Sequence, residues 1–271
     1  MIEGELLTFN SSDCDTLCVF IHPIGGQVHW YRELAKELTP YASIFLIQIK
    51  NIKISDTFTS IENIAIHYFE LIRSFYDKSN ILLIAWSFGC DIAFEMAKVC
   101  EATLKRKQPI FIFDPQFLSH KPSAPLDYFN YIISKEMNLE RRDNFKEIKI
   151  VRSPNQLPGL ISEVINSLAS PMLDKNMLCL YEKSLLIYLY NLVLKNRYYY
   201  RGKIANIRVA MADTDSLYYK GLSGQASYKT WLSFADHLEW ISIPGNHYSI
   251  LVENISYTVS LLLSFYQAVV F

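Results

Sequence analysis

The chain lacks any cysteine pair at metal-ligand spacing: Cys14, Cys18, Cys90, Cys100 and Cys179 are odd in number and contain no CxxC. That argues against a zinc site and against a disulfide framework, so no metal is expected and a reducing cytoplasm fits best. A surplus of either charge is also missing. Lys plus Arg total 26 against 27 for Asp plus Glu, a net charge of −1, which removes any general electrostatic reason to bind nucleic acid or an anionic membrane. The N-terminal MIEGELLTF has acidic residues and no apolar core of the kind a secretory signal needs. Residues 255–271, ISYTVSLLLSFYQAVVF, are uncharged but slightly short of a usual span and without basic flanks. They are expected to form a terminal helix packed on a core, without stable membrane insertion. No internal repeat, low-complexity linker or second domain is visible, so residues 1–271 are expected to form a single domain.

What the chain does have is apolar surface to bury, 51% of its residues, of which aromatic residues alone make up 14% of the chain. Apolar runs alternate with helical patterns, the signature of an α/β protein with a mostly parallel central sheet flanked by helices. The strand candidates are residues 17–22, 43–49, 81–86, 109–114, 207–212 and 238–244. Their continuous apolarity suits strands covered on both faces. Between the first two, Tyr31, Leu34, Ala35 and Leu38 share one helix face. Between the next two, Thr59 and Glu62 suggest a capping box ahead of a stripe formed by Ile61, Ile64, Ala65, Tyr68 and Ile72. The alternation breaks over about 115–203. One pattern there, residues 183–195, is apolar nearly all round, and the segment is expected to be a helical lid inserted into the domain.

The stretch ILLIAWSFGCDIAFEMA, residues 81–97, passes from strand directly into helix through a serine. Such a strand–turn–helix is the setting of a nucleophile elbow, in which a sharp turn presents the hydroxyl above the sheet and small neighbours let strand and helix approach closely. Ala85 and Gly89 are those small neighbours. Ser87 is therefore the candidate nucleophile, with the positive end of the following helix directed at the site. A serine needs a base, and the base an orienting acid. Among six histidines, His247 in IPGNHYSIL follows the last strand candidate and precedes the last helix, which makes it the natural base. His22, His67, His120 and His237 fit packing or surface roles better. Two places compete for the acid. Asp114 ends the strand after the nucleophile strand, and Asp213 and Asp215 follow the next one; both lie at carboxyl ends of strands, where such sites gather.

The motifs HPIGG (22–26), WYRELAKEL (30–38), AWSFGCDIAFEMA (85–97), FIFDP (111–115) and PGNHYSIL (244–251) resemble, in order and spacing, the thioesterase domains of nonribosomal peptide and polyketide synthases. Those domains have the α/β-hydrolase fold. In the synthase-terminal type the acid follows the strand after the nucleophile, which points to Asp114; in the stand-alone editing type it follows a later strand, which points to Asp213 or Asp215. Spacing and the FIFD context favour Asp114. The resemblance further implies an oxyanion hole from the backbone amides of Ile24 and Phe88. It implies a serine thioesterase that takes an acyl, polyketide or peptidyl group from phosphopantetheine on an acyl or peptidyl carrier protein. The thioesterase itself would carry no cofactor. A general carboxylesterase or lipase, and a catalytically weak carrier-binding module, are the alternative expectations on the same fold.

Overall fold

The computed structural model describes residues 2–11, 14–53, 59–115, 154–168, 175–214 and 224–270. Among these, seven strands form one sheet in the order β1-β3-β2-β4-β5-β6-β7. The strands are β1 (Ile2–Asn10), β2 (Thr16–Ile21), β3 (Ser43–Ile52), β4 (Asn80–Trp86), β5 (Ile110–Phe113), β6 (Ile204–Ala212) and β7 (Ala235–Ile243). Only β1 runs antiparallel, against β3; every other pair is parallel.

The apolar runs are continuous because each strand feeds two cores. In β4, Ile81, Leu83 and Ala85 join one core, while Leu82, Ile84 and Trp86 join the other, the alternation a pleated strand imposes. On the first face lie α2 (Ile61–Ile72), α3 (Gly89–Leu104) and α5 (Lys175–Arg197); on the second lie α1 (Arg32–Leu38) and α7 (Ile255–Val270). The remaining helices are α4 (Leu157–Leu168), against α5, and α6 (Gly224–Leu232), against β7.

The apolar faces read from the sequence are buried: Tyr31, Leu34, Ala35 and Leu38 on one side, Ile61, Ile64, Ala65, Tyr68 and Ile72 on the other. The terminal helix α7 buries Val259, Leu262 and Phe265, and Arg208 of β6 reaches it. The Arg208 guanidinium donates to the Leu261 carbonyl (2.6 Å) and the Ser264 hydroxyl (2.7 Å). Among the described residues, no helix is long and apolar enough to cross a membrane.

Three local expectations need correction. The cap of α2 is Ser60, whose hydroxyl accepts from the Asn63 amide at 3.2 Å; Thr59 instead donates its amide to the Tyr190 hydroxyl at 3.0 Å. β6 and β7 each start three residues earlier than their apolar runs, because polar residues such as Asn206 and His237 pair in register there. β1 escapes a period-two reading altogether. Its register with β3 shifts between Glu3 and Gly4 and again between Thr8 and Asn10, so the pattern changes phase within nine residues. Gly4 is needed there, since a Cβ would lie 2.3 Å from the Tyr68 ring. Most of the segment between β5 and β6, residues 116–153 with His120, lies outside the described residues. α5 is buried nearly all round from Leu185 to Lys195, as its composition suggests.

Candidate active site

Ser87 stands at the junction of β4 and α3 with φ +57°, a left-handed conformation that costs a residue bearing a Cβ about 1–2 kcal/mol. The junction is held from both sides. The Ser87 amide donates to the Phe113 carbonyl at 3.1 Å, and the Ser87 carbonyl accepts from Cys90 at 3.1 Å as the helix begins. Gly89 is a steric necessity, because a Cβ there would come within 2.7 Å of the carbonyl oxygens of Ile21 and His22. Ala85 is fully buried and its single methyl fits. Phe88 directly precedes α3, so its amide belongs to the helix end where N–H groups lack an acceptor one turn back.

Asp114 follows β5 at φ +41°, the second left-handed non-glycine residue at a strand end. Its amide donates to the Ala210 carbonyl at 2.8 Å, and its Oδ1 lies 3.4 Å from the Ala212 amide, so β6 orients the carboxylate. Its Oδ2 is 2.5 Å from Nδ1 of His247. A carboxylate only accepts, so Nδ1 carries the proton and the ring lone pair is left on Nε2. His247 is 1% exposed and Asp114 6%. The indole of Trp86, the residue before Ser87, lies 4.9 Å from the His247 ring centroid, and Tyr248 and Trp30 complete an aromatic wall around it. Ser87, Asp114 and His247 thus follow the carboxyl ends of β4, β5 and β7 in one sheet, with Asp114 paired to His247 and the His247 ring packed on Trp86, the residue before Ser87.

The loop that carries His247 has its own local reasons. Gly245 adopts φ +116°, and the Asn246 side chain accepts from the amides of Tyr248 (3.0 Å) and Ser249 (3.2 Å), an Asx-type turn wrapped around His247. Asp213 serves this loop rather than the imidazole. It is exposed, and its Oδ1 accepts from the Gly245 amide at 2.9 Å. Asp215 lies outside the described residues.

In HPIGG, a turn closes from the Gly26 amide to the Pro23 carbonyl (2.9 Å), with Gly26 at φ +77°. The same carbonyl is 2.7 Å from Nδ1 of His22, and Nε2 of His22 is 2.8 Å from the Tyr68 hydroxyl. A carbonyl cannot donate, so Nδ1 of His22 holds the proton and Nε2 accepts from Tyr68. Burial pushes the His22 pKa down to about 4, against a smaller upward pull from the Pro23 bond. Ile24 therefore sits in a loop with fixed backbone. His67 accepts from the Gly4 amide, and His237 is largely exposed beside Glu239.

Several residues of this region were given no role in the sequence reading. Trp86 and Tyr248 are adjacent in sequence to Ser87 and His247, a signal that could have pointed to them. Asp91 lies fully buried in the first turn of α3, bonded to Lys195 of α5 (2.7 and 2.5 Å) and to the Tyr200 hydroxyl. Burial pushes its carboxyl group up, opposed by Lys195 and Tyr200. Asn191 donates Nδ2 to the Ile24 carbonyl at 2.7 Å. Its signal was a lone amide inside the apolar run 183–195. Among the described residues, no group of three or more His, Cys, Asp or Glu is placed to hold a metal.

Strand order, an elbow serine, and an acid and histidine on later strand ends define an α/β-hydrolase-type fold. Comparison with known proteins narrows the class. The family model described as Thioesterase domain matches residues 16–127. No curated protein is similar enough in sequence to match. Among solved structures, a four-domain nonribosomal peptide synthetase bound to AMP and glycine superposes with a TM-score of 0.68 at 18% identity; the match covers 96% of this chain and 20% of that one. The Vlm2 thioesterase domain matches with a TM-score of 0.62 at 18% identity over 97% of both chains. The type II thioesterase BorB of the borrelidin biosynthetic cluster matches with a TM-score of 0.61 at 14% identity, over 96% of this chain and 94% of that one. The chain spans about one fifth of the synthetase and nearly all of the other two. The family model thus gives a likeness to thioesterase domains over residues 16–127, and the solved structures share the fold along nearly the whole chain.

Proposed function

We propose that the protein is a serine thioesterase that releases an acyl, polyketide or peptidyl chain from the phosphopantetheine of a carrier protein. The observation that carries this reading is the pairing of Asp114 with Nδ1 of a buried His247 whose ring packs on Trp86, the residue before an elbow serine. The thioesterase-domain match over residues 16–127 supports the choice of a thioester, and the synthase-type neighbours support a carrier-bound one.

In this mechanism Nε2 of His247 takes the Ser87 proton as the oxygen attacks the thioester carbonyl, and Asp114 stabilises the imidazolium through Nδ1. The amides of Ile24 and Phe88 hold the oxyanion. When the tetrahedral intermediate collapses, the carbon–sulfur bond breaks and the imidazolium proton passes to the thiol, leaving an ester on Ser87. Water, or a hydroxyl or amine within the acyl chain, then attacks that ester with His247 again taking the proton. The products are a free acid or a ring, and Ser87 is restored. The segment between β5 and β6, with α4 and α5, acts as the lid of a single domain and limits water at the acyl-enzyme. The thioesterase needs no cofactor of its own.

The test is intact-protein mass spectrometry of wild type and Ser87→Ala with a panel of acyl carrier protein thioesters, alongside the matching oxygen esters. Acyl adduct and product from wild type alone support the proposal. Preference for oxygen esters indicates a carboxylesterase or lipase, and carrier binding without acylation a binding module; either outcome overturns it.

A further inference from the structure

Helix α5 presents Ile187, Asn191 and Lys195 four residues apart, so the three lie on one face. Each meets a part of the machinery that carries an oxyanion donor. Ile187 packs on the HPIGG turn: its Cγ2 lies 2.6 Å from the point where a Cβ on Gly26 would stand. Asn191 donates to the Ile24 carbonyl at 2.7 Å. Lys195, 8% exposed, binds the carboxylate of Asp91 in the first turn of α3, the helix that begins just beyond Phe88. One helix face therefore touches both the loop of Ile24 and the helix end of Phe88.

The bond from Asn191 completes the restraint on Ile24. Two peptide planes flank that residue. The plane holding its amide is fixed through the Pro23 carbonyl, by the Gly26 amide and Nδ1 of His22. The plane holding its own carbonyl is fixed by Nδ2 of Asn191, which reaches across 167 residues of sequence. The two planes meet at the Ile24 Cα, so with both held φ and ψ of that residue are set and its amide keeps one direction relative to α5.

Asn191 is a costly residue for this place. It is fully buried, and its Oδ1 has no hydrogen-bond partner among the described residues. A buried acceptor without a partner destabilises the folded state, and the surrounding positions of α5 are Tyr, Leu and Val. An apolar residue of the same size would suit the core better. An amide that harms the core but directs a backbone plane at the reacting carbonyl fits function rather than stability.

Resting on the thioesterase reading, we infer that the face Ile187, Asn191 and Lys195 of α5 sets the oxyanion hole, with Asn191 as the positioning residue of the Ile24 amide. The lid helix is then more than a cover. Its seating on the sheet and the alignment of the hole are one event, because a displaced α5 leaves the Ile24 carbonyl without its donor.

The experiment compares wild type, Asn191→Leu and Asn191→Asp in single-turnover acylation by an acyl carrier protein thioester, with KM and thermal midpoint measured for each. Asn191→Leu is expected to lower the acylation rate about 10- to 100-fold, less than removal of an oxyanion donor itself, with KM within about twofold. Its thermal midpoint should be unchanged or raised, an outcome that a purely structural role does not give. Asn191→Asp donates only while protonated, so its rate relative to wild type should fall as pH rises. Acylation by Asn191→Leu within about twofold of wild type overturns the inference. So does a loss accompanied by a lowered midpoint with no pH-dependent ratio for Asn191→Asp, or failure of both variants to fold. Absence of acylation in wild type overturns the thioesterase reading instead.

Discussion

Two buried histidines sit at opposite sides of the same set of strand ends, and they have opposite fates. His22, after β2, and His247, after β7, are 0% and 1% exposed, and each offers Nδ1 to an oxygen. For His22 that oxygen is the Pro23 carbonyl, a dipole; for His247 it is the Asp114 carboxylate, a charge. A dipole does not repay the desolvation of an imidazolium, and burial holds His22 neutral with a pKa near 4. A carboxylate stabilises the imidazolium that a general base must become. The comparison teaches that a buried histidine is suited to proton transfer by the partner of its far nitrogen, and that its own burial does not decide the matter.

The most direct way to break the contrast is to give His247 a neutral partner too. Asp114→Asn should lower turnover about 10³- to 10⁴-fold, measured on a carrier-bound thioester, since Asn retains shape but neither stabilises imidazolium nor enforces the tautomer. Asn tolerates left-handed backbone nearly as well as Asp, so the thermal midpoint should shift by only a few degrees. Turnover near that of wild type would remove Asp114 from its role.

The second effect is smaller and separates the histidines by pH. Because the His22 pKa is lowered on folding, the unfolded chain binds the proton first as pH falls below about 6.5. The stability from neutral His22 is complete above that value and is lost as pH falls toward about 4, by about 3 kcal/mol in total. His22→Asn keeps a donor for the Pro23 carbonyl but cannot titrate, so chemical unfolding should show a flatter decline over this window. An equal slope in wild type and variant would assign the acid sensitivity elsewhere.

The smallest effects are expected at the two alternative acids. Asp213→Ala removes the acceptor of the Gly245 amide and should cost about 1 kcal/mol of stability in denaturant titration, with turnover within about tenfold. Asp215→Ala should leave turnover within about twofold. A loss from either that equals Asp114→Asn would reverse the choice of acid.

Much of the fold was legible because it follows from local periodicity. The six apolar runs appear as β2 to β7, and the helix faces between them are buried as the spacing predicted. β1 was not legible, since its two register shifts break the alternation that a strand reading depends on. The elbow could be read from Ala85, Ser87 and Gly89 because its demands are steric and lie within five residues. For the acid, spacing, the FIFD context and the family resemblance favoured Asp114 but left Asp213 and Asp215 open, since Asp114 and Asp213 end adjacent strands and differ in what stands opposite.

By itself the sequence determined the alternation of strand and helix, the serine at the sharp turn, and the histidine loop with its Gly245 and Asn246. Each depends on φ, ψ and side-chain preferences of a few consecutive residues. Only the tertiary structure decided that Asp114 faces His247, that His22 holds the Pro23 carbonyl, and that Asn191 and Lys195 reach the Ile24 carbonyl and Asp91 of α3. Apart from His22, these are contacts across 104 to 167 residues of chain. Hydrogen bonds require placement within a few tenths of an ångström, and over such separations sheet register and helix packing set that placement, with no trace in the local pattern.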